Sequence, residues 1–263
     1  MTDVQARVAV LVDADNISSR AAAAVLAETA KHGTLGVKRA YGNWASPALA
    51  SWRPELAKHA ITPIQQFAWA SGKNATDTAL IIDAMDLLYS GNVDVFCIVS
   101  SDSDFTRLAM RLRESGRRVY GIGERKTLET FTNACDRFTF VEVLLGQSLE
   151  DHADATDTPD GARDTAADPA ESDPEPQAAP PRLPNLRDIV LPAIDTAAKD
   201  DGWAALATVG WHIVASTPSF DARNYGYAKL GALVRDLPEV TVREERGTAG
   251  ASHLFVRRAD PES

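Results

Sequence analysis

The sequence predicts an α/β fold, a parallel sheet with helices on both faces, followed by a small C-terminal winged helix of α+β type. Three observations carry this. From Arg7 to about Leu145, short apolar runs alternate with segments of helical periodicity. Such alternation builds a parallel sheet buried on both sides. Residues 150–184 then hold 2 basic and 10 acidic residues, seven prolines and no aromatic side chain. That stretch cannot bury enough apolar surface to offset the entropy of ordering it. After it, helical patterning resumes and ends in two alternating segments. The expected units are a domain over 1–147, an acidic Pro/Ala-rich disordered linker over 148–184, and a second domain over 185–263. A chain of 263 residues accommodates both cores.

The elements follow in order. RVAVLV, from Arg7 to Val12, reads as a buried strand, and Ile17 to His32 as a helix capped by Asn16 or Ser18. GVKRAYG is a second strand, Pro47 to His59 a second helix and TPIQQF a third strand. Thr76 to Tyr89 is a third helix, with Leu80, Ile81, Ala84, Leu87 and Leu88 forming one apolar stripe. VDVFCIVS, Ser103 to Glu114 and RVYGIG continue the alternation, and a short helix near Leu128 and the segment FTFVEV complete it. In the second domain, LRDIVLPAIDTAAKDDG reads as a helix with Pro192 inside it, GWAALATVGWHIVAS as another and YGYAKLGALVRDL as a third. EVTVREERGTAGASHLFVRR reads as a hairpin turning at Gly247 and Gly250. Three helices and a hairpin make a winged helix.

Composition excludes several classes. No apolar run approaches the roughly 20 residues of a membrane span. MTDVQARVAVLVDADN lacks the basic-then-apolar pattern of a signal peptide. With only Cys97 and Cys135, a disulfide framework or cysteine metal cluster is not expected, and a cytoplasmic setting is. The net charge of −10 argues against nucleic acid only until it is apportioned. Residues 1–149 hold 16 basic and 16 acidic side chains, and residues 185–263 hold 9 and 11, so most of the acidity lies in the linker.

Chemistry concentrates where the strands end. In open parallel sheets, ligands sit at the carboxyl edge, where the strand order switches. The first strand ends in VDADN, which supplies Asp13, Asp15 and Asn16; the fourth ends in SSDSDF, which supplies Ser100, Ser101, Asp102, Ser103 and Asp104. Asp77 prolongs the buried stripe of the third helix at its N-terminal end and so faces the same edge. Asp86 falls on the opposite, solvated side, and Asp83 on a flank with no role read from sequence. Any single Asp here serves equally as a helix cap. Together, Asp13, Asp77, Asp102 and Asp104 repel one another and call for a cation. Hard oxygen donors suit Mg²⁺ or Mn²⁺, and such clusters support metal-assisted phosphodiester cleavage. Asn16, Asp15, Lys73 and Ser101 are candidate supporting residues. The five histidines show no ligand spacing.

LVDADN, the KNATD segment before the third helix, and SSDSDF followed by RLAMRLRESGRRVYGIG together resemble the NYN domain, the LabA-like branch of the PIN-like nuclease superfamily. The resemblance runs from about Arg7 to Leu145. It implies a PIN-like α/β/α sandwich with a divalent-metal site for RNA cleavage, and by motif position the acidic quartet is Asp13, Asp77, Asp102 and Asp104. Two departures stand out: serines at Ser101 and Ser103 where members often carry glycine, and a KNATD one residue longer than the usual motif. FDARNYGYAKLGALVRDLPEVTV with HLFVRR resembles the LOTUS, or OST-HTH, domain. That resemblance implies contacts with RNA, including structured G-rich RNA, and with proteins. On the exposed third helix and wing, Lys229, Arg243 and Arg246 are the candidate phosphate contacts and Tyr225 the candidate stacking residue. PIN-like domains often dimerise, so a homodimer is a further expectation; a membrane partner is not. The resulting expectation is a metal-dependent endoribonuclease whose C-terminal module selects the RNA. A non-catalytic RNA-binding or regulatory adaptor on the same fold is the alternative. A HAD-like phosphatase also has D-x-D at a strand end, but DADN lacks the glycine–threonine continuation of that class.

Overall fold

The computed structural model describes residues 5–66, 75–146, 183–246 and 252–259. In the first domain, β1 (Arg7–Asp13), β2 (Thr34–Gly42), β3 (Thr62–Gln65), β4 (Val95–Val99), β5 (Arg118–Gly123) and β6 (Arg137–Phe140) form one parallel sheet in the order β3-β2-β1-β4-β5-β6. β1 and β4 are buried along nearly their whole length, which is what central strands covered on both faces require. The pleat divides them. Ala9, Leu11, Phe96 and Ile98 face a core with α3 (Ala75–Tyr89), α4 (Thr106–Glu114) and α5 (Glu129–Ala134). Val8, Val10, Val12, Val95, Cys97 and Val99 face the other, with α1 (Ala22–Thr29) and α2 (Trp52–His59). The chain works outward in opposite directions from β1 and β4, so the switch point lies between these two strands.

Several boundaries differ from the sequence expectation. The helix expected from Ile17 to His32 is a 3₁₀ turn at Ser19–Ala21, then α1, then a second 3₁₀ turn at Ala30–His32. Its cap is Ser18, whose hydroxyl accepts from the Arg20 N–H. The second helix divides into a 3₁₀ turn at Pro47–Leu49 and α2, whose Pro54 sits in the first turn where its missing N–H costs nothing. FTFVEV divides into the end of β6 and a single-turn α6 (Val141–Leu144).

The second domain comprises α7 (Leu186–Ala197), capped by Asn185, then β7 (Ala204–Ala205), α8 (Leu206–Ser216), α9 (Leu230–Arg235) and the antiparallel strands β8 (Val240–Arg246) and β9 (Ser252–Arg258), with sheet order β7-β9-β8. Its core gathers Val190, Ile194, Val209, Ile213, Leu233, Val234 and Val256. Two expectations are corrected here. The second helix begins only at Leu206, because Ala204 and Ala205 pair with β9. The third is short, because the 3₁₀ turn Ala222–Tyr225 ends at Gly226, whose φ of 82° breaks the helix.

The second domain packs along the edge strand β6. The Phe138 N–H donates to the Pro218 carbonyl at 2.8 Å, and Leu183 packs against the first domain's core. Arg137 pairs with Asp221 at 3.7 Å and Arg223 with Glu28 at 3.6 Å. An edge that would otherwise present unpaired backbone groups is covered by its own chain. Most of the expected linker, Lys73 and the glycine turn of the hairpin lie outside the described residues. Among the described residues, no helix is long and apolar enough to cross a membrane.

Candidate metal centre

The switch point gathers the acidic residues. Asp13 ends β1 and is fully buried. Its Oδ2 accepts from Asn16 Nδ2 at 2.6 Å and from the Ser100 hydroxyl at 2.8 Å. Its Oδ1 is buried with no hydrogen-bond partner among the described residues. An unpartnered buried carboxylate oxygen is costly unless something positive approaches it. Burial raises the Asp13 pKa above the usual carboxylate value, and Asp15 adds to the rise, against the hydrogen bonds from Asn16 and Ser100.

Asp102 follows β4 and caps the 3₁₀ turn Ser103–Phe105, its Oδ1 accepting from the Asp104 N–H at 2.8 Å. The Asp102 N–H in turn donates to the Ser100 hydroxyl oxygen at 3.0 Å. One buried serine thus links the ends of β1 and β4. Asp77 arrives on the first turn of α3. Carboxylate oxygens of Asp77, Asp102 and Asp104 lie within 4.8 Å of one another. Where the sequence predicts four converging carboxylates, three come within reach of one ion and Asp13 lies outside that trio. The reason is the strand end itself: Asp13 points into the protein, where Asn16 and Ser100 hold it. Asp77 is pushed up to about 6, first by burial and then by the charges of Asp13, Asp102, Asp104 and Asp15. All four acids therefore share one electrostatic site. Hard, mutually repelling oxygens, with the buried and partly unpartnered carboxylate of Asp13 acting on the same site, fit a divalent cation.

Two contacts place α3. At its start, the Thr76 hydroxyl donates to Asp15 Oδ2 at 2.8 Å. About two turns later, Asp83 Oδ2 accepts from Arg39 at 2.8 Å and from the Tyr41 hydroxyl at 2.8 Å. Asp83, which had no role read from sequence, ties α3 to β2 next to the strand that ends in Asp13. Ser101 accepts from the Glu124 N–H at 2.8 Å and so fixes the loop after β5. Neither Ser101 nor Ser103 adopts a positive φ, so glycine is not needed at either position. Sequence reasoning placed Ser100 at the strand end without a role, left the role of Asp83 open and gave none to Thr76. Only Ser100, a small hydroxyl at a buried strand end, carried any local signal.

Of the candidate RNA contacts of the second domain, Tyr225 and Arg243 have partners within the chain. Tyr225 is half-buried, its hydroxyl donates to the Pro184 carbonyl at 2.9 Å, and its ring lies 5.9 Å from that of Phe220. It lines a cavity with Thr127, Glu129 and Phe140 of the first domain and is therefore no open stacking platform. Arg243 lies over the Trp203 ring at 4.3 Å and pairs with Glu245 at 2.8 Å, so its guanidinium is already engaged. Lys229 is exposed immediately before α9. The Arg246 side chain lies outside what is described.

Comparison with known proteins assigns both parts of the chain. The model of the NYN domain matches residues 7–144, and that of the OST-HTH/LOTUS domain matches residues 183–251. No curated protein matches. Among solved structures, a protein of unknown function from Vibrio parahaemolyticus, VPA0982, is 20% identical with a TM-score of 0.44, over 53% of this chain and 95% of that one. An uncharacterized protein of Nitrosomonas europaea is 30% identical with a TM-score of 0.28, over 37% and 96%. A fragment (175–257) of a Chromobacterium violaceum protein is 37% identical with a TM-score of 0.26, over 31% and 88%.

Proposed function

This chain belongs to the NYN domain family, and on that premise we propose that it is a metal-dependent endoribonuclease, hydrolysing RNA phosphodiester bonds at the carboxyl edge of its sheet. The observation that carries the reading is the convergence of Asp77, Asp102 and Asp104 within 4.8 Å, with the charge of the buried Asp13 also felt at Asp77. Asp77, Asp102 and Asp104 would hold Mg²⁺ or Mn²⁺. Asp13 adds negative charge, and Asn16 and Ser100 fix its orientation. When bound, such an ion offsets charge at the phosphoryl group and lowers the pKa of water. The protein's own part is to keep carboxylates of high mutual repulsion in one place, which the paired contacts of Thr76 and Asp83 on α3 accomplish.

A site that grips phosphodiesters reads bases poorly. Target selection therefore falls to the OST-HTH/LOTUS domain, a class associated with RNA binding. Cys97 and Cys135 are both buried and free, which fits a reducing cytoplasmic setting. The test is incubation of purified protein with end-labelled single-stranded and structured RNAs in Mn²⁺, Mg²⁺ or EDTA. Cleavage in either metal and none in EDTA is expected. RNA binding without cleavage in any metal would replace this reading with the adaptor.

A further inference from the structure

A cluster of cations stands where the two domains meet. A cleft of about 670 Å³ opens there between the end of α1, the start of β6 and the segment leading into α9. Four cations line it, Lys31, Arg137, Arg223 and Lys229, against two carboxylates, Glu28 and Asp221. Both carboxylates are already shared. Glu28 pairs with Lys31 at 2.6 Å and Arg223 at 3.6 Å, and Asp221 with Arg223 at 2.6 Å and Arg137 at 3.7 Å. The cleft therefore keeps an excess of two positive charges in a chain whose net charge is −10. His32 also lines it, ring against ring with Tyr120 at 4.1 Å. Burial holds the His32 pKa down, and the charges of Arg137, Arg118 and Lys31 act in the same direction, against Glu28.

Neither domain is basic by itself: residues 1–149 are neutral and residues 185–263 carry two net negative charges. The positive patch exists only because docking brings Lys31 and Arg137 of one domain beside Arg223 and Lys229 of the other. Its position suits a long substrate. The register runs Val10–Cys97–Tyr120–Arg137 across four adjacent strands. Arg137 is thus three strands and three residues from Asp13, about 17 Å at ordinary strand spacing and rise. A cleft this open is too large for one small anion; it lies toward the amino edge of the sheet, since Thr34, three residues after Lys31, pairs with Arg7, six residues before Asp13, so a strand held here must run on to meet the acidic edge.

We propose that this interdomain cleft grips the sugar-phosphate backbone of the RNA substrate, with Lys31 and Lys229 as its accessible phosphate contacts. The inference rests on the ribonuclease reading above and adds to it where the strand is held. Each phosphate contact made on a single strand contributes about 0.7 to the slope of log affinity against log salt. Arg137 and Arg223 also hold the domains together, so the test spares them.

The experiment is a fluorescence-anisotropy titration of labelled single-stranded RNA in EDTA, across roughly 50 to 200 mM salt. The full-length protein is compared with Lys31→Gln/Lys229→Gln, Lys229→Gln alone, and Lys58→Gln, an exposed lysine of α2 that serves as charge control. The double variant should lower the salt slope by about 1.4, and Lys229→Gln alone by about 0.7. Low-salt affinity of the double variant should fall about 10-fold while Lys58→Gln matches the parent. Parent-like slope and affinity in the double variant overturn the cleft and leave the ribonuclease reading intact, with RNA held elsewhere and the cleft free for an acidic protein. A parent protein that neither binds nor cleaves RNA overturns both.

Discussion

Two partly buried aspartates show how one side chain serves opposite ends. Asp77, at the acidic edge, faces Asp13, Asp102, Asp104 and Asp15, and is pushed up to about 6 by burial and then by those charges. Asp221, at the domain junction, also loses hydration, yet its pKa is lowered, because Arg223 donates to both of its oxygens and Arg137 adds its charge. The first carboxylate is surrounded by its own kind, and the second is enclosed by cations. A folded chain keeps the second arrangement for its own stability. The first is affordable only where an external cation completes it.

The sharpest way to break that contrast is to remove charge from each region. Asp102→Asn or Asp77→Asn should lower metal-dependent RNA cleavage on the order of 10³-fold, the several kcal/mol that a cation supplies to the transition state. In EDTA the thermal midpoint of either variant should stay level or rise, since the change relieves repulsion. Asp86→Asn, exposed on the far side of α3, should match the parent in both assays. Parent-like cleavage by both site variants would remove the acidic edge from the chemistry.

At the junction the sign reverses. Asp221→Ala leaves Arg223 and Arg137 without their shared, 8% exposed partner. Urea denaturation should show a loss of about 2–3 kcal/mol, somewhat below the cost of breaking a fully buried pair because Arg223 retains contact with solvent. A loss under about 0.5 kcal/mol, the size of an ordinary surface change, would reduce the cluster to a surface ion pair.

The same two residues explain what the sequence could disclose. Alternating apolar runs announced the sheet, and the acidic edge was visible because Asp13, Asp102 and Asp104 follow apolar strands while Asp77 prolongs a helical stripe. Those signals are local. The partners of Asp83 are 44 and 42 residues away on β2, and Asp221 pairs with Arg137 on β6 as well as with the nearby Arg223, so no periodicity betrays the distant contacts. Pairing with β9 turned two alanines from expected helix to strand, and a left-handed Gly226 shortened the last helix. Both are outcomes of tertiary context and backbone conformation that side-chain patterning does not encode.

A pH series reads the contrast without mutation. Asp77 rises from 3.8 unfolded to about 6 folded. Between those values the folded, metal-free protein binds the extra proton, so its stability falls as pH rises through about 4 to 6. Asp221 behaves oppositely: its lowered pKa adds stability that is present above 3.8 and lost as pH falls through its lower folded value. Thermal midpoints in EDTA should therefore decline from pH 4 toward pH 6, and Mn²⁺ should remove the decline by favouring the charged trio. Asp77→Asn should flatten the EDTA curve. A curve rising through this window in the parent would mean that the acidic edge is compensated from within the protein.

The smallest effect concerns how the uncompensated site is kept in register. Asp83 Oδ2 accepts from Arg39 and from the hydroxyl of the fully buried Tyr41, both at 2.8 Å. Tyr41 pairs in register with Asp13 on the neighbouring strand. α3 is thus anchored to the sheet six residues beyond Asp77, in addition to the Thr76–Asp15 contact at its start. Asp83→Asn retains an acceptor but turns the ion pair with Arg39 into a weaker charge–dipole contact and the Tyr41 hydrogen bond into a neutral one, a loss of about 1 kcal/mol. Repulsion among the carboxylates can then widen the trio. Half-saturating Mn²⁺ for cleavage should rise about 5-fold, the equivalent of that energy, while the rate at saturating metal stays near the parent's. Asp83→Ala should shift it further, because it leaves the Tyr41 hydroxyl buried without an acceptor. If neither variant moves the half-saturation point, Leu80, Ala84 and Leu88 alone hold α3 against the sheet, and the contact with β2 contributes nothing to the site.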